Sequence, residues 1–250
     1  YYSGRPTANR AIYFDYSHDK VWIGHRKGLS FLDEKIGYLQ QLSDSAFLNA
    51  LGPGVVHCFH ANKEGLWIGT TNGIFCYHID NGSFEHYHPS NEGKYFCPNL
   101  VISHIHEDKN GAFWMASKGG EGILYWNPAT KAYKKYTTQD GLPHNVTYAV
   151  YEDEFGYIWS STNFGICRMN PVEQIFNIYL PKDGVPHVES NLLSHFQAAD
   201  GRLYFGGLNG VATVSPSAIQ SGGITKHARL QPVSFELLDK RTGDYIDYSA

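Results

Sequence analysis

Three closely spaced pairs of histidines have the residue type and spacing that could bind a metal ion. They are His57 and His60, His86 and His88, and His104 and His106. Residues i and i+2 of a strand lie on one face, so a His-x-His pair could supply two ligands to zinc. Two ligands do not make a site, and no acidic residue or cysteine lies in register as a clear third. The sequence therefore predicts no metal site and no cofactor.

A sequence repeat gives two of these histidines a packing role instead. His60 and His106 occupy the same position in successive copies of the repeat. Later copies place Tyr151 and Phe196 there. A position that accepts an imidazole, a phenol and a phenyl ring is typical of packing between structural elements. We therefore interpret these histidines as part of the fold rather than as ligands.

Two copies of Asp-x-x-Gly-x-x-Trp, at 108–114 and 153–159, loosely resemble the Asp-box turn of sialidase-like propellers. Such an enzyme needs clustered arginines to bind a carboxylate, together with paired acids or an activated tyrosine. The arginines of this chain share no position of the repeat, and no GxSxG, HExxH or phosphate-binding loop occurs. The sequence predicts no catalysis by this fragment. A propeller polysaccharide lyase or glycoside hydrolase stays open as an alternative, because tyrosine and histidine bases are abundant.

Asparagine and aromatic side chains that come before the repeated strands could bind a sugar. Amides could form hydrogen bonds with sugar hydroxyls, and aromatic rings could stack on sugar rings. The candidates are Asn99, Asn145, Asn191, Tyr95 and Tyr148. The alternative is that each asparagine caps its own loop and that each aromatic ring packs between loops. Both interpretations depend on the elements that position these residues.

Those elements belong to an internal repeat that is marked by an aromatic residue. The repeated aromatics are Trp22, Trp67, Trp114, Trp159 and Tyr204, at intervals of 45, 47, 45 and 45 residues. In the copy at 145–184, strands are predicted at 146–152, 157–162, 166–170 and 175–179, with turns that contain Asp, Asn or Gly. Four short antiparallel strands in each such copy are the unit of a β-propeller blade.

The repeat predicts an all-β fold of five β-propeller blades. A single four-stranded sheet leaves both faces open, and stacking several sheets around an axis buries them. The repeated aromatics then form the blade core, filling the space between neighbours. The first strand of each blade lines the central channel, which places the asparagine positions near its rim. The fifth blade is expected to reach its third strand at 211–214, and its fourth strand must come from elsewhere.

Composition agrees with this fold and excludes several classes of protein. Of the 250 residues, 15% are aromatic and 18% are charged, which suits pleated sheets and not a disordered chain. A net charge of -4 argues against direct binding to nucleic acid. No apolar run reaches the roughly 18 to 20 residues of a membrane span, and no signal-peptide pattern occurs. The four cysteines form no CxxC pair and are interpreted as small buried hydrophobic residues, with a disulfide such as Cys58–Cys97 in an oxidising compartment as the alternative.

In the best-matching copies, an Asp-x-x-Gly turn is followed by the strand that holds the repeated tryptophan. Together with the later Asn-Pro and Asp-Gly-Leu-Pro-x-Asn segments, this pattern resembles the two-component-regulator propeller repeat. The likeness is best at 152–165, 170–171 and 140–145. The segment 232–247 resembles the start of the Ig-like triple-tyrosine domain that follows such propellers. The resemblance implies two domains, the blades at 1–222 and a truncated Ig-like β-sandwich at 228–250. It also implies that the five blades are part of a seven-bladed propeller in a longer protein.

This resemblance implies the periplasmic sensor region of a Bacteroidetes hybrid two-component system. The parent proteins carry a membrane helix, a histidine kinase, a receiver and a DNA-binding domain. We therefore expect a module that recognises an oligosaccharide and signals to carbohydrate-utilisation genes. We also expect it to associate as a dimer in its parent, to contact no nucleic acid itself, and to reach the membrane through the parent's transmembrane helix. A scaffold propeller that binds protein partners is the second alternative.

Overall fold

The computed structural model describes residues 11–25, 28–33, 37–87, 101–221, 236–238 and 245–247. Strands make up most of this part of the chain, and each sheet joins strands that are neighbours in sequence. The pairing is antiparallel throughout the described sheets, as between the first two strands and between the last two. The all-β fold class predicted from the repeat is therefore confirmed.

The first nineteen strands form five sheets that follow one another along the chain. The first sheet contains β1 to β4 at Ala11–Asp15, Lys20–His25, Gly28–Asp33 and Leu39–Gln41. The second contains β5 to β8 at Val56–Asn62, Gly65–Thr70, Gly73–Tyr77 and Phe84–Tyr87. The third contains β9 to β12 at Ile102–Glu107, Phe113–Ser117, Gly122–Trp126 and Tyr133–Tyr136. The fourth contains β13 to β16 at Thr147–Glu152, Ile158–Thr162, Gly165–Asn170 and Ile175–Tyr179, and the fifth contains β17 to β19 at Ser190–Gln197, Leu203–Gly207 and Gly210–Val214.

The fourth sheet shows why the sequence forms strands of this length. Its strands begin and end within one residue of the predicted bounds. The turns between them use Gly156 and Gly165, whose φ angles of 82° and 88° favour glycine. Pro171 follows β15, and because proline cannot donate a hydrogen bond to the sheet, the strand ends there. Turn residues thus divide a β-rich sequence into four short strands.

The five sheets stand side by side as the blades of a propeller. Their innermost strands are β1, β5, β9, β13 and β17, and each contacts the next innermost strand along the chain. The fifth blade reaches its third strand at Gly210–Val214, as expected. This arrangement confirms the five-bladed propeller predicted from the repeat. The seven-bladed parent stays a prediction.

The repeated aromatics lie in hydrophobic clusters between neighbouring blades. Four of them are at most 3% exposed, namely Trp22, Trp67, Trp114 and Trp159. Trp159 of the fourth blade, for example, packs with Leu203 and Phe205 of the fifth. Tyr204 is half-buried on the last blade that the structure describes. Burial of large rings between sheets therefore holds consecutive blades together.

Helix α1, at Ser45–Leu51 between the first two blades, is an element that the repeat does not predict. Asp44 caps it, since its carboxylate accepts a hydrogen bond from the backbone N–H of Phe47 at 3.0 Å. Phe47 is fully buried against Phe75 and Phe84 of the second blade. The helix thus covers part of the outer side of that blade with a single aromatic anchor.

Two elements follow the fifth blade. Helix α2 spans Pro216–Ser221, and its Gln220 accepts a hydrogen bond from the guanidinium of Arg168 at 3.0 Å. Strands β20 and β21, at Glu236–Leu238 and Tyr245–Asp247, form an antiparallel pair. The assignment of this segment to an Ig-like domain stays a prediction. Neither helix in the described part of the chain has the length and apolar character needed to cross a bilayer.

Candidate functional site

The aspartate of the Asp-x-x-Gly-x-x-Trp motif is occupied by its own turn. In the fourth blade, one oxygen of Asp153 accepts hydrogen bonds from the backbone N–H groups of Phe155 and Tyr157, at 3.0 and 2.9 Å. The other oxygen accepts from the indole N–H of Trp159 at 2.8 Å. The carboxylate is buried, and the guanidinium of Arg168 lies 3.6 Å from it. The motif therefore fixes the turn to the blade core and does not present an acid to a substrate.

The indole contact recurs in the first three blades. The donor and acceptor pairs are Trp22 with Asp15 at 3.4 Å, Trp67 with Asn62 at 3.0 Å, and Trp114 with Asp108 at 3.0 Å. An acceptor at this position satisfies a buried N–H that would otherwise lack a partner. Both segments that resemble an Asp-box are therefore structural turns in this protein.

Side chains from three innermost strands meet near the axis of the propeller. The ring of His104, on β9, lies 4.5 Å from that of His195, on β17, although β13 comes between these strands. The phenol oxygen of Tyr151, on β13, is 2.7 Å from Nδ1 of His195. Tyr151 also contacts His104 and His106, with ring centroids 4.7 and 5.9 Å apart. We name His104, His106, Tyr151 and His195 the channel cluster.

Burial sets the protonation states of the channel cluster. It lowers the pKa of His106 and of His195 to about 4, and it lowers the pKa of His104 well below its ordinary value. Burial also raises the pKa of Tyr151. The backbone N–H of Val150 donates to Nδ1 of His104 at 3.2 Å, which keeps that nitrogen an acceptor. The cluster is therefore neutral near pH 7, and Tyr151 is not an activated base.

One histidine from each of the first two pairs is engaged by a group other than a metal ligand set, whereas His104 and His106 both belong to the channel cluster. Nε2 of His60 lies 2.8 Å from a carboxylate oxygen of Glu107 in the next blade. His86 stacks on Phe75, and its Nε2 donates to the carbonyl of Asn72 at 2.8 Å. His88 lies outside the described residues. Among the residues that the structure describes, no three His, Cys, Asp or Glu side chains are grouped so as to hold a metal ion.

The strand register confirms that His60 and His106 share one position of the repeat. Each stands opposite the repeated aromatic of its own blade, as do the later residues of the same position. The pairs are His60 with Trp67, His106 with Trp114, Tyr151 with Trp159, and Phe196 with Tyr204. His60 packs edge-on against Phe113 of the third blade, at a centroid distance of 5.8 Å. The position therefore carries packing between blades.

Three of the predicted sugar-binding residues lie at or beside the starts of β13 and β17, and two of these contact their own blade or loop. Asn145 accepts a hydrogen bond from the backbone N–H of Thr138 at 2.8 Å, which is the loop-capping alternative. Tyr148 donates to the amide oxygen of Asn163 at 2.9 Å. Asn191 is exposed on β17. Outside the described residues lie Asn99 and Tyr95. A role of these residues in ligand binding stays a prediction.

Each innermost strand from β5 onwards pairs irregularly near its start. Register shifts occur at His57, Ser103 and Tyr148 in the second, third and fourth blades. In the fifth blade the irregular stretch is longer, at 191–194, and Leu193 has a φ angle of 67°. Such bulges re-aim side chains at the rims of barrels and beside binding sites. The repeat in the sequence does not reveal them, because its marker lies on the second strand of each blade.

A polar groove between the first and second blades is a feature that the sequence motifs do not predict. It has a volume of about 270 Å³, and turn residues of both blades line it. His18 bridges it, since its Nδ1 lies 2.8 Å from Asp15 and its Nε2 lies 3.2 Å from Asp80. The turn that carries His18 lacks the glycine of later turns, and this departure from the repeat is its sequence signal. We name this cavity the interblade groove.

The cysteines of the described residues are structural. Cys58, Cys76 and Cys167 are buried and form no disulfide. Burial raises the pKa of each thiol to about 12, so these thiols stay protonated and unreactive near pH 7. For these three, the interpretation as small buried hydrophobic residues is confirmed. Cys97 lies outside the described residues.

Comparison with protein families bears on one copy of the repeat. Residues 141–164 match the family model described as Two component regulator propeller. The chain contains a two-component-regulator propeller repeat. The matched span covers β13, the Asp153 turn and β14, which are the elements that form the blade core and one side of the channel cluster. The resemblance seen in the sequence is thereby confirmed for this copy.

Two similar solved structures are extracellular domains from B. thetaiotaomicron. The domain of the hybrid two component system BT3049 is 22% identical with a TM-score of 0.54, over 94% of this chain and 37% of that chain. The domain of the one component system BT4673 is 16% identical with a TM-score of 0.64, over 89% of this chain and 30% of that chain. The three therefore share a fold, and this chain spans about a third of the length of these two domains.

A third similar structure is an enzyme. Virginiamycin B lyase from Staphylococcus aureus is 17% identical with a TM-score of 0.60, over 86% of this chain and 69% of that chain. The fold of this chain is therefore shared by a lyase as well as by extracellular domains of regulatory systems. No curated protein matches the sequence.

Proposed function

We propose that this chain is the ligand-sensing part of a hybrid two-component system and has no catalytic activity of its own. The observation that carries the proposal is the two-component-regulator propeller repeat at 141–164, in a chain of five blades in phase. The fold shared with the extracellular domain of BT3049 supports it. We place the chain in the periplasm, in a parent that dimerises and crosses the inner membrane.

The proposed ligand is an oligosaccharide, and the proposed output is control of carbohydrate-utilisation genes. The chain itself binds the sugar, and the parent's kinase carries the signal onward. For this to work, the ligand must bind two arrangements of the dimeric parent with different affinities, because a ligand with equal affinities shifts no population. The segment at 228–250, as the start of an Ig-like domain, would transmit the shift toward the membrane.

Calorimetric titration of this chain with a library of oligosaccharides tests the sensing function. We expect at least one member of the library to bind. Two variants test whether the rim of the channel binds the ligand. Asn191→Ala removes the exposed amide on β17, and Asn177→Ala on the outer strand β16 is the matched control. Absence of binding across the library would overturn the sensing proposal. Equal affinities of the two variants would remove Asn191 from the site.

A lyase is the second candidate, and two observations favour it. The fold is shared with virginiamycin B lyase, and the hydrogen bond between Tyr151 and His195 joins two residue types that serve as bases. Against catalysis, burial raises the pKa of Tyr151 and lowers that of His195, which leaves both neutral. Product-release assays on acidic and neutral polysaccharides distinguish the candidates. Turnover that Tyr151→Phe abolishes would establish the lyase.

A further inference from the structure

A repeated polar position closes the seam between consecutive blades. In the third blade it is Glu107, whose carboxylate accepts from the amide of Asn62 at 2.9 Å and lies 2.8 Å from Nε2 of His60. In the fourth blade it is Glu152, which accepts from the backbone N–H of Lys109 at 3.1 Å. Each glutamate thus ties its blade to the blade before it with charge-assisted hydrogen bonds.

The second blade has an alanine at this position. The register places Ala61 opposite Leu66, as it places Glu107 opposite Phe113, in each case one residue before the repeated tryptophan. A methyl group has no polar atom with which to bind the first blade, and Ala61 lines the interblade groove. The groove therefore exists because a small residue stands where later blades carry a side chain that closes the seam.

The first blade forms the opposite wall with a turn that departs from the repeat. Its Asp15 accepts from the backbone N–H of Ser17 at 3.1 Å and from the indole of Trp22 at 3.4 Å. The remaining capacity of this buried carboxylate is taken by His18, which reaches on to Asp80 of the second blade. The result is a cavity with a buried acid on one wall and an imidazole across it.

The interblade groove is lined by hydrogen-bond donors and acceptors, and by side chains of positive and of negative charge. Lys63 and Glu64 line it, and in the described part of the chain the ends of their side chains make no hydrogen bond or ion pair. The Asp80 side chain is 92% exposed and contacts His18. A ligand with a net charge would meet both signs, whereas hydroxyl groups both donate and accept. Tyr13 adds an aromatic side chain to the wall.

We propose that the interblade groove binds one neutral sugar ring. Glu64 and Asp80 would accept hydrogen bonds from its hydroxyls, and Lys63 would donate to them. The groove volume of about 270 Å³ is below the ~300 Å³ at which pockets for drug-sized ligands begin, which suits a single ring. The choice of a sugar rests on the proposed function. The groove lies at the opposite ends of the innermost strands from Asn145 and Asn191, so it is a separate site.

The test is a titration of this chain with the methyl glycosides of glucose, galactose, mannose and xylose, followed by calorimetry and by saturation-transfer NMR. The informative variant is Ala61→Glu, which restores the residue type of later blades and fills the groove. Glu64→Gln removes one charged acceptor from the wall. The matched control is Glu173→Gln, an exposed carboxylate in the turn of the fourth blade that corresponds to the turn of Asp80.

We expect at least one methyl glycoside to bind, and Ala61→Glu to weaken its binding at least tenfold because the longer side chain fills the groove. Glu64→Gln should act in the same direction, and Glu173→Gln should bind as the natural chain does. A thermal unfolding curve for Ala61→Glu that matches the natural chain shows that the loss is local. Binding of sugars that is insensitive to Ala61→Glu and Glu64→Gln overturns the groove site and leaves the sensing function standing. Methyl glucosaminide is titrated as a positively charged counterpart, and its binding without that of any neutral glycoside overturns the neutral class. Binding of none of these glycosides overturns the groove site, while the sensing function is decided separately by the titration with oligosaccharides.

Discussion

The first and fourth blades place an aspartate at the same point of the repeat, and the two residues have different surroundings. Asp153 is enclosed by its own turn, by the indole of Trp159 and by the guanidinium of Arg168. Asp15 has one backbone donor and a longer indole contact, and it turns its second oxygen to His18. Where the repeat is regular, the polar side chains form hydrogen bonds and ion pairs within the blade. Where it departs, polar groups face a cavity, which is where functional sites are expected.

The largest expected difference comes from deleting the two aspartates. Asp153→Ala leaves the buried Arg168 without its carboxylate and two backbone donors without an acceptor, so we expect a loss of about 3 to 5 kcal/mol in the free energy of unfolding. Asp15→Ala removes one backbone contact instead of two and leaves no buried guanidinium unpaired, so we expect a loss of about 1 to 2 kcal/mol. Denaturant unfolding of both variants measures the difference. Equal losses would show that the two turns are equivalent and would break the comparison.

Acid should act on the regular blades through the channel cluster. The folded-state pKa of His106 and of His195 is about 4, below the ordinary value of 6.5, so the unfolded chain binds more protons between these pH values. Stability therefore rises with pH through this window, and acidification from pH 6.5 to pH 4 should remove up to about 1.4 kcal/mol per pH unit for each histidine.

The variant His195→Gln tests the origin of this acid sensitivity. It removes one titrating group, so the slope of stability against pH between 6.5 and 4 should decrease. His78→Gln, in a turn of the second blade, is the control outside the channel cluster. Unfolding curves at several pH values measure the slopes. An unchanged slope for His195→Gln, or an equal decrease for both variants, would assign the acid sensitivity to other groups.

The fold could be predicted from the sequence because the turn residues and the repeated aromatics, which determine it, are close together in each copy of the repeat. Glycine and aspartate turns set the strand bounds of the fourth blade, and the spacing of the tryptophans sets the blade count. Helix α1 lies within the unchanged 45-residue interval between Trp22 and Trp67 and has one buried aromatic anchor, so neither repeat nor periodicity indicates it. Its N-terminal cap at Asp44 is a local sequence signal that does not belong to the repeat.

The candidate sites depend on relations between blades that spacing does not contain. The contact between His104 and His195 joins the third and fifth blades, and it follows from the curvature of the propeller rather than from residue intervals. The interblade groove follows from Ala61, a small residue whose meaning appears when its column is compared with Glu107 and Glu152. The sequence motifs consist of large or polar residues that recur in the repeat. The groove depends instead on a position where the small residue Ala61 replaces a recurring glutamate.

A glycine substitution in the regular turn should have a smaller effect than loss of its aspartate. Gly156 has a φ angle of 82°, and a Cβ there would lie 3.2 Å from Nζ of Lys109, the flexible end of a side chain. The cost of Gly156→Ala is therefore mainly that of a left-handed backbone, about 1 to 2 kcal/mol in the free energy of unfolding. Denaturant unfolding measures it. A loss below the error of the measurement would mean that the turn relaxes without glycine.

The smallest expected effect is the reverse substitution in the first blade. Asp19 adopts a φ angle of 51° in the turn that lacks glycine, a conformation that costs a side-chain-bearing residue more than it costs glycine. Asp19→Gly should therefore raise stability, by less than about 1 kcal/mol because glycine also adds freedom to the unfolded chain. The same unfolding experiment measures it, with Gly156→Ala as the opposite case. A loss larger than 1 kcal/mol would mean that the Asp19 side chain itself holds the turn, and then the irregular first turn, like the regular fourth one, would be built mainly by its own polar contacts.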